Sequence, residues 1–258
     1  MQTLNIVKIG GSIANNEDRL PTFLDNFVAM DHPKILVHGG GSSASDLCKK
    51  LGIPIQMKDG RRITDKPALD VAVMVYAGLL NKKIVAKLQG RSTNAIGLSG
   101  ADLNIIPAKK RNHPTIDFGF VGDITAEDVN TYFIKRLLDE QVVPVFPAIT
   151  HDTQGQLFNT NADTIASVLA IALSDRYQST LTYCFEKQGV LRDINDEESW
   201  IEEIDHDKYI QLKDEGIIHE GMIPKLDTAF EALQQGVHQV NIKHADNLLN
   251  LRGTKLTP

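Results

Sequence analysis

The chain has 258 residues, 42% of them hydrophobic and 23% charged, with 27 Lys and Arg against 33 Asp and Glu for a formal net charge of −6. That length suits one large α/β domain or two fused lobes, and it buries enough surface for a core that needs no metal or disulfide staple. The acidic balance argues against a general nucleic-acid or anionic-membrane binder, which needs a basic footprint, but leaves room for a small anion held by a few local lysines. The two cysteines, Cys48 and Cys184, stand in no Cys/His cluster, so a disulfide scaffold and a structural zinc site are both poor readings. No apolar run reaches the roughly 18 residues of a membrane span. The first residues lack the basic-then-apolar pattern of a secretory leader, so the cytoplasm is the expected address.

In chain order, Leu4 to Ile9 reads as a buried strand that ends at Gly10-Gly11-Ser12. From Asp18 to Met30 the apolar residues fall at helical spacing, and Ile35-Leu36-Val37 is a second buried strand stopped by Gly39-Gly40-Gly41. Ser42 or Ser43 caps the next helix, which runs to Leu51 and stops at Gly52. Strand, helix, strand, helix with short connections is the grammar of a parallel sheet. Ile55 to Met57 and Arg61 to Ile63 then flank an Asp59-Gly60 hairpin turn, and a long helix is predicted from Pro67 to about Leu88. Asn94 to Leu98, Asn104 to Ala108 and Phe118 to Ile124 read as strands, Thr125 with Asp128 as a capping pair for a helix through Leu138, and Val142 to Phe146 as a central strand.

The second half opens with a hairpin around Gly155, and Asn159-Thr160-Asn161 leads into a helix from Ala162 to Leu173. A strand from Ser179 to Phe185 precedes Gly189 and an acidic loop from Asp193 to Glu203, read as solvated. Helices are expected at Asp207 to Glu215 and Pro224 to Gln235, and a strand at Gln239 to Lys243. A soft boundary near Ile149 divides a first lobe, 1–149, from a second, 150–258.

Both glycine turns directly follow buried strands. Glycine there lets bare backbone N–H groups approach an anion, and the next helix adds the partial positive charge of its N-terminus. Two such turns at the carboxyl ends of parallel strands favour a phosphate or carboxylate site over plain corners. The second turn also has the form G-x-G-x-x-A (Gly39, Gly41, Ala44), so a dinucleotide-dependent oxidoreductase stands as a second reading, although its acidic partner would have to be Asp59 in a hairpin turn. Lys8, near the end of an apolar strand, is alone best read as a snorkelling lysine; beside two glycine turns it becomes a plausible phosphate partner. Lys225 falls in the first turn of a helix, where the dipole disfavours a cation unless an anion sits there too. Asp163, with Asn161 as the cap before it, reads either as a plain dipole partner or as a holder of the two lysines. Arg62 suits a bidentate carboxylate contact as well as a solvated hairpin position. His38 reads as structural.

The ordered set Lys8-Ile9-Gly10-Gly11-Ser12, His38-Gly39-Gly40-Gly41, Asp59-Gly60-Arg61-Arg62-Ile63-Thr64, Asn159-Thr160-Asn161-Ala162-Asp163 and Gly221-Met222-Ile223-Pro224-Lys225 resembles the amino acid kinase family, over nearly the whole chain. Gly97-Leu98-Ser99-Gly100-Ala101-Asp102 is similar to that family's mid-chain segment. The resemblance is narrowest to the members that phosphorylate the side-chain carboxylate of an N-acyl-L-glutamate in arginine synthesis. It implies a three-layer α/β/α sandwich with a mostly parallel central sheet, the acyl amino acid and the dimer contact on the first lobe, and ATP on the second. Carried over residue by residue, it makes Lys8 and Lys225 stabilisers of the transferred group and Asp163 the residue that orients them. Gly40, Gly41, Arg62, Asn159 and Asn161 would bind the acceptor; Gly10, Gly11, Glu186 and Gly189 would bind the nucleotide. Where family members carry an aspartate before the nucleotide-site glycine, this chain has Glu186.

ATP is then a co-substrate, with Mg2+ bridging its phosphates and few direct protein ligands, and no metal-ligating residue is singled out. N-acetyl-L-glutamate is the foremost acceptor. N-succinyl-L-glutamate stays open, with Arg61 and Arg91 as extra cations that either meet a second carboxylate or are simply solvated. A non-catalytic ligand-sensing relative is a third reading. Arginine-inhibited relatives carry an extra N-terminal helix that joins dimers into hexamers; with the first strand beginning by Leu4, the expectation here is a homodimer that arginine does not inhibit.

Overall fold

The computed structural model describes residues 1–31, 33–58, 61–218 and 222–258. The turn expected at Asp59-Gly60 and the Gly221 of the last motif lie outside the described residues. Strand β1 (Gln2–Ile9) leads through α1 (Gly11–Ala14) and α2 (Arg19–Ala29) to β2 (Lys34–His38) and α3 (Gly41–Lys50). The hairpin β3 (Gln56–Lys58) and β4 (Arg61–Ile63) precedes a long helical run, α4 (Lys66–Ala72), a π-helical segment (Val73–Leu80) and α5 (Asn81–Gln89). After β5 (Ala95–Gly97) come the short antiparallel pair β6 (Lys109–Lys110) and β7 (Gly122–Asp123), then α6 (Thr131–Asp139) and β8 (Val143–Pro147). The hairpin β9 (Ile149–His151) and β10 (Leu157–Asn159) leads to α7 (Ala162–Ala172) and β11 (Tyr177–Phe185). The chain ends with β12 (Glu203–Ile204), α8 (His206–Asp214), α9 (Ile223–Gln234), β13 (Gln239–His244) and β14 (Thr254–Leu256).

Among the described residues, eight strands form one sheet in the order β12-β14-β13-β11-β1-β2-β8-β5. Neighbours are parallel except β13 with β14. The apolar runs of the central strands follow from burial on both faces, because successive side chains of a strand point to opposite sides. Leu4 and Ile6, Ile35 and Val37, Phe146, and Leu181 and Tyr183 feed one core, with α3, α4, α6, α7, α8 and α9. Val7 and Ile9, Leu36, Val143 and Val145, and Cys184 feed the other, with α1, α2 and α5. Helices on both faces of a mostly parallel sheet make the expected three layers.

Three expectations fail locally. Asn104 to Ala108 is a loop, because Leu103 and Asn104 take left-handed backbone (φ 54° and 51°) and Ile106 N–H closes back on the Gly100 carbonyl. Of Phe118 to Ile124 only Gly122 and Asp123 form strand. Thr125 and Asp128 do bond side chain to side chain (2.9 Å), yet the helix starts later, at Thr131, because Asn130 N–H is given to the Ile105 carbonyl. The sequence reading did not identify the short strands β14 and β12, the last two at one end of the sheet. Among the described residues no helix is long and apolar enough to cross a membrane.

Candidate functional site

Successive connections leave β1 and β11 in opposite directions, toward β2 from the one and toward β13 from the other. Such a switch point opens a crevice at the carboxyl ends of the strands, where open α/β sheets bind ligands. The turn after β1 brings Gly10 and Gly11 there, the turn after β2 brings Gly39 to Gly41, and the end of β11 brings Glu186 to Gly189. The two glycine turns face each other closely. A Cβ on Gly11 would lie 2.9 Å from Ser42 Oγ and 3.5 Å from the Gly40 backbone; one on Gly40 would lie 2.5 Å from the Tyr76 ring. Nothing lies within 4 Å of the Cβ position of Gly41, whose open side faces a cavity.

Lys8 shares a strand face with Leu4 and Ile6, so the pleat sends it to the layer that contains α7. There it meets Asp163 in the first turn of α7, Nζ to Oδ1 2.7 Å, with the side chains 9% and 17% exposed. The contact is a charge pair rather than an aligned hydrogen bond. Asn161 sets this turn as its N-cap, Oδ1 accepting from the Asp163 (2.7 Å) and Thr164 (3.2 Å) amides. Lys8 pairs in register with Tyr183, and Phe185, two residues on, lies on the same face. The Phe185 ring carries both lysines, Lys225 Nζ at 3.9 Å and Lys8 Nζ at 5.5 Å from its centroid. Lys225 falls in the first turn of α9, as predicted. Burial lowers its pKa from the ordinary lysine value; the Asp163 charge opposes that shift and the Lys8 charge adds to it.

Two cavities flank this cluster. One, of about 270 Å³, is lined by Gly41, Arg62, Asn159 and Asn161, and also by Arg61, Arg111, Met57, Tyr76, Val121, Thr160 and Thr164. Arg62 donates from Nη2 to the Gly41 carbonyl (3.1 Å) and to Ser45 Oγ (2.6 Å), and Asn159 donates to Thr64 Oγ1 (3.0 Å). The other, of about 250 Å³ and mainly apolar, is lined by Gly189, Val190, Leu191, Ile194, Ile218, Met222, Lys187 and Lys225. Gly189 is needed there by packing, since a Cβ would fall 2.5 Å from Thr254 Oγ1. Glu186 turns toward Arg19, 3.8 Å away, and does not line that cavity.

The remaining sequence candidates separate. His38 is fully buried, with Nδ1 donating to its neighbour's carbonyl at Gly39 (2.9 Å) and Nε2 accepting from Asn81 Nδ2 (3.2 Å). Burial lowers its pKa to about 4, so it is a neutral structural residue. Arg91 is tied to Asp25 (2.7 Å) and to the Lys87 and Pro21 carbonyls, away from the arginine-lined cavity. Phe185 and Arg111 were missed by sequence reasoning. The basic run Lys109-Lys110-Arg111 in an acidic chain is a usable signal for the second; an aromatic at a strand end is too common to signal the first.

Comparison with known proteins agrees with the fold. Residues 3–244 match the model of the amino acid kinase family. An acetylglutamate kinase of Cytophaga hutchinsonii is 50% identical, covering 97% of this chain and 95% of its own length. Another, of Bacteroides fragilis, is 48% identical, covering 99% and 97%. A solved Streptococcus mutans protein superposes with a TM-score of 0.81 at 26% identity, over 98% of both chains.

Proposed function

The chain belongs to the amino acid kinase family, and from that premise we propose that it is an acetylglutamate kinase, moving the γ-phosphoryl group of ATP to the side-chain carboxylate of an N-acyl-L-glutamate in arginine biosynthesis. N-acetyl-L-glutamate is the acceptor named for its relatives. The observation that carries the reading is the pair of lysines, Lys8 and Lys225, gathered over Phe185 and sharing the Asp163 charge between an arginine-lined and an apolar cavity.

In this reading the acceptor lies in the arginine-lined cavity, its α-carboxylate on Arg62 and Asn159 and its side chain past Gly40 and Gly41 toward Lys8. Asn161 acts through the turn it caps. ATP lies with its base in the apolar cavity near Gly189 and its phosphates at the Gly10-Gly11 turn and Lys225. Glu186, ion-paired with Arg19, sits at the rim of the nucleotide site. A side-chain carboxylate oxygen attacks the γ-phosphorus; the new O–P bond forms as the bond to the β–γ bridging oxygen breaks, giving an acyl phosphate and ADP. The carboxylate is already ionised at neutral pH, so no general base is needed, and catalysis rests on positioning and on cations around the moving group. Asp163 keeps Lys8 aimed at it. Magnesium enters on the nucleotide phosphates. There it would neutralise phosphate charge, held by phosphates and water with few protein ligands.

In this reading the first lobe, 1–149, supplies most of the acceptor cavity, completed by Asn159, Thr160, Asn161 and Thr164 of the second lobe, 150–258, which alone lines the nucleotide cavity. The protein works as a homodimer in the cytoplasm; two buried, unpaired cysteines suit a reducing compartment. Hydroxamate trapping with MgATP tests the activity: acyl phosphate forms with an N-acylated glutamate and not with free glutamate. Absence of trapped product with every acylated glutamate overturns it.

A further inference from the structure

This inference deepens the kinase reading and rests on it for what the two lysines act on. Lys225 is a cation in a place that offers little to hold one. It stands in the first turn of α9, where the helix dipole opposes it, and it shares an apolar cavity with a second cation, Lys187. Asp163 of α7, whose charge favours the protonated form of Lys225, is already paired with Lys8 of β1 at 2.7 Å. Among the described residues Lys225 makes no ion pair and no side-chain hydrogen bond. What its ammonium meets is the Phe185 ring, with Nζ 3.9 Å from the centroid. Lys8 Nζ lies 5.5 Å from the same centroid.

The ring is itself held in place. Phe185 closes β11, pairs in register with His244 of β13, and stacks on Tyr183 with centroids 6.4 Å and planes 25° apart. Tyr183 is fully buried, and its hydroxyl donates to the Asp163 carbonyl (3.3 Å). One face of β11 thus fixes both the ring beneath the lysines and the turn that carries their carboxylate. An aromatic face attracts an ammonium through its quadrupole yet has no net charge. A second carboxylate in its place would neutralise Lys225, occupy its N–H donors and repel the phosphates of a nucleotide; the ring does none of these. We propose that Phe185 is a positioning residue of phosphoryl transfer: its ring holds Lys225, and more loosely Lys8, charged and side by side, with the Lys225 N–H groups left for the oxygens of the moving group.

The test separates the ring's electron density from its bulk. Replacing Phe185 with mono-, di- and trifluorinated phenylalanine withdraws density from the ring face with little change of shape, and Phe185→Leu removes the face but keeps an apolar side chain. With MgATP and N-acetyl-L-glutamate, kcat is expected to fall with each fluorine, about tenfold by the third and at least as far in Phe185→Leu, the size of one cation–π contact. KM for the acceptor should change little, because Phe185 does not line the acceptor cavity. A readout independent of turnover is the titration of the Lys225 Cε carbon by NMR in the free protein, assigned by its loss in Lys225→Ala. A weaker ring face favours the charged lysine less, so this titration should move to lower pH in step with the fluorines. Measurable turnover that is unchanged across the series overturns the proposal. Turnover that falls while the Lys225 titration stays in place makes Phe185 a packing residue and also overturns it. A titration that follows the fluorines in a protein giving no acyl phosphate from any acylated glutamate upholds the ring's hold on Lys225 and overturns the kinase reading.

Discussion

Lys8 and Lys225 are held differently, and that difference predicts different behaviour. Lys8 is paired with Asp163 at 2.7 Å, so its ammonium is held in position before any ligand arrives. Lys8→Ala should lower kcat by about 10²- to 10³-fold, the usual loss on removing one transition-state donor, with a much smaller change in KM. Turnover that survives while substrate affinity collapses would remove Lys8 from that role. Lys225 is buried beside another cation and over an aromatic ring, and its pKa is lowered. A lysine that must be charged to act loses activity as pH rises through its pKa. The pH profile of kcat/KM for ATP, which reports the free enzyme, should therefore fall on its alkaline side below the ordinary lysine value of 10.5. Lys225→Arg should move that limb to higher pH. A limb that stays in place belongs to another group.

At the scale of elements, the sheet is joined to its helices by a few buried polar contacts. Asn81, where the π-helical segment gives way to α5, donates both to His38 at the end of β2 (3.2 Å) and to the Val145 carbonyl of β8 (2.9 Å). His38 must stay neutral to accept that bond. Its folded pKa of about 4 lies below the unfolded value of 6.5, so between those values the unfolded chain binds more protons. Stability from this group is therefore complete above pH 6.5 and declines as pH falls toward 4. Urea unfolding should show about 2 kcal/mol less stability at pH 5 than at pH 7 from this residue. His38→Gln should remove that share of the pH dependence while lowering stability at both pH values. An equal slope in both proteins would place the titration elsewhere.

For the whole molecule, the long helical run leaves Met74 and Leu79 55% and 56% exposed on its outer side. Large apolar side chains on one face of a well-packed helix suit a contact between copies of the chain, the surface we assign to the proposed homodimer. Light scattering during gel filtration should give twice the chain mass, and Met74→Glu with Leu79→Glu should give a monomer. A wild-type monomer at micromolar concentration would remove the assignment.

Much of the architecture and part of the site are legible in local sequence. Buried strands are continuous apolar runs, the corners are glycines, and the helix that begins at Ala162 is announced by Asn161, because pleat, backbone freedom and capping all act within a few residues. Lys8 and Lys225 stand out because each is a cation where local structure disfavours one. Short strands and helix starts were less legible, as at Asn130, whose amide is claimed by a distant carbonyl at Ile105. Which groups meet was decided by the order of the strands. β11 adds to the opposite side of β1 from β2, and only that brings Phe185 beneath two lysines far apart in sequence. The same nonlocal packing sends Arg91 to Asp25 and gathers Arg61, Arg62 and Arg111 around one cavity. Periodicity determines the face a side chain takes; the partner that face meets depends on chain connections that no local window contains.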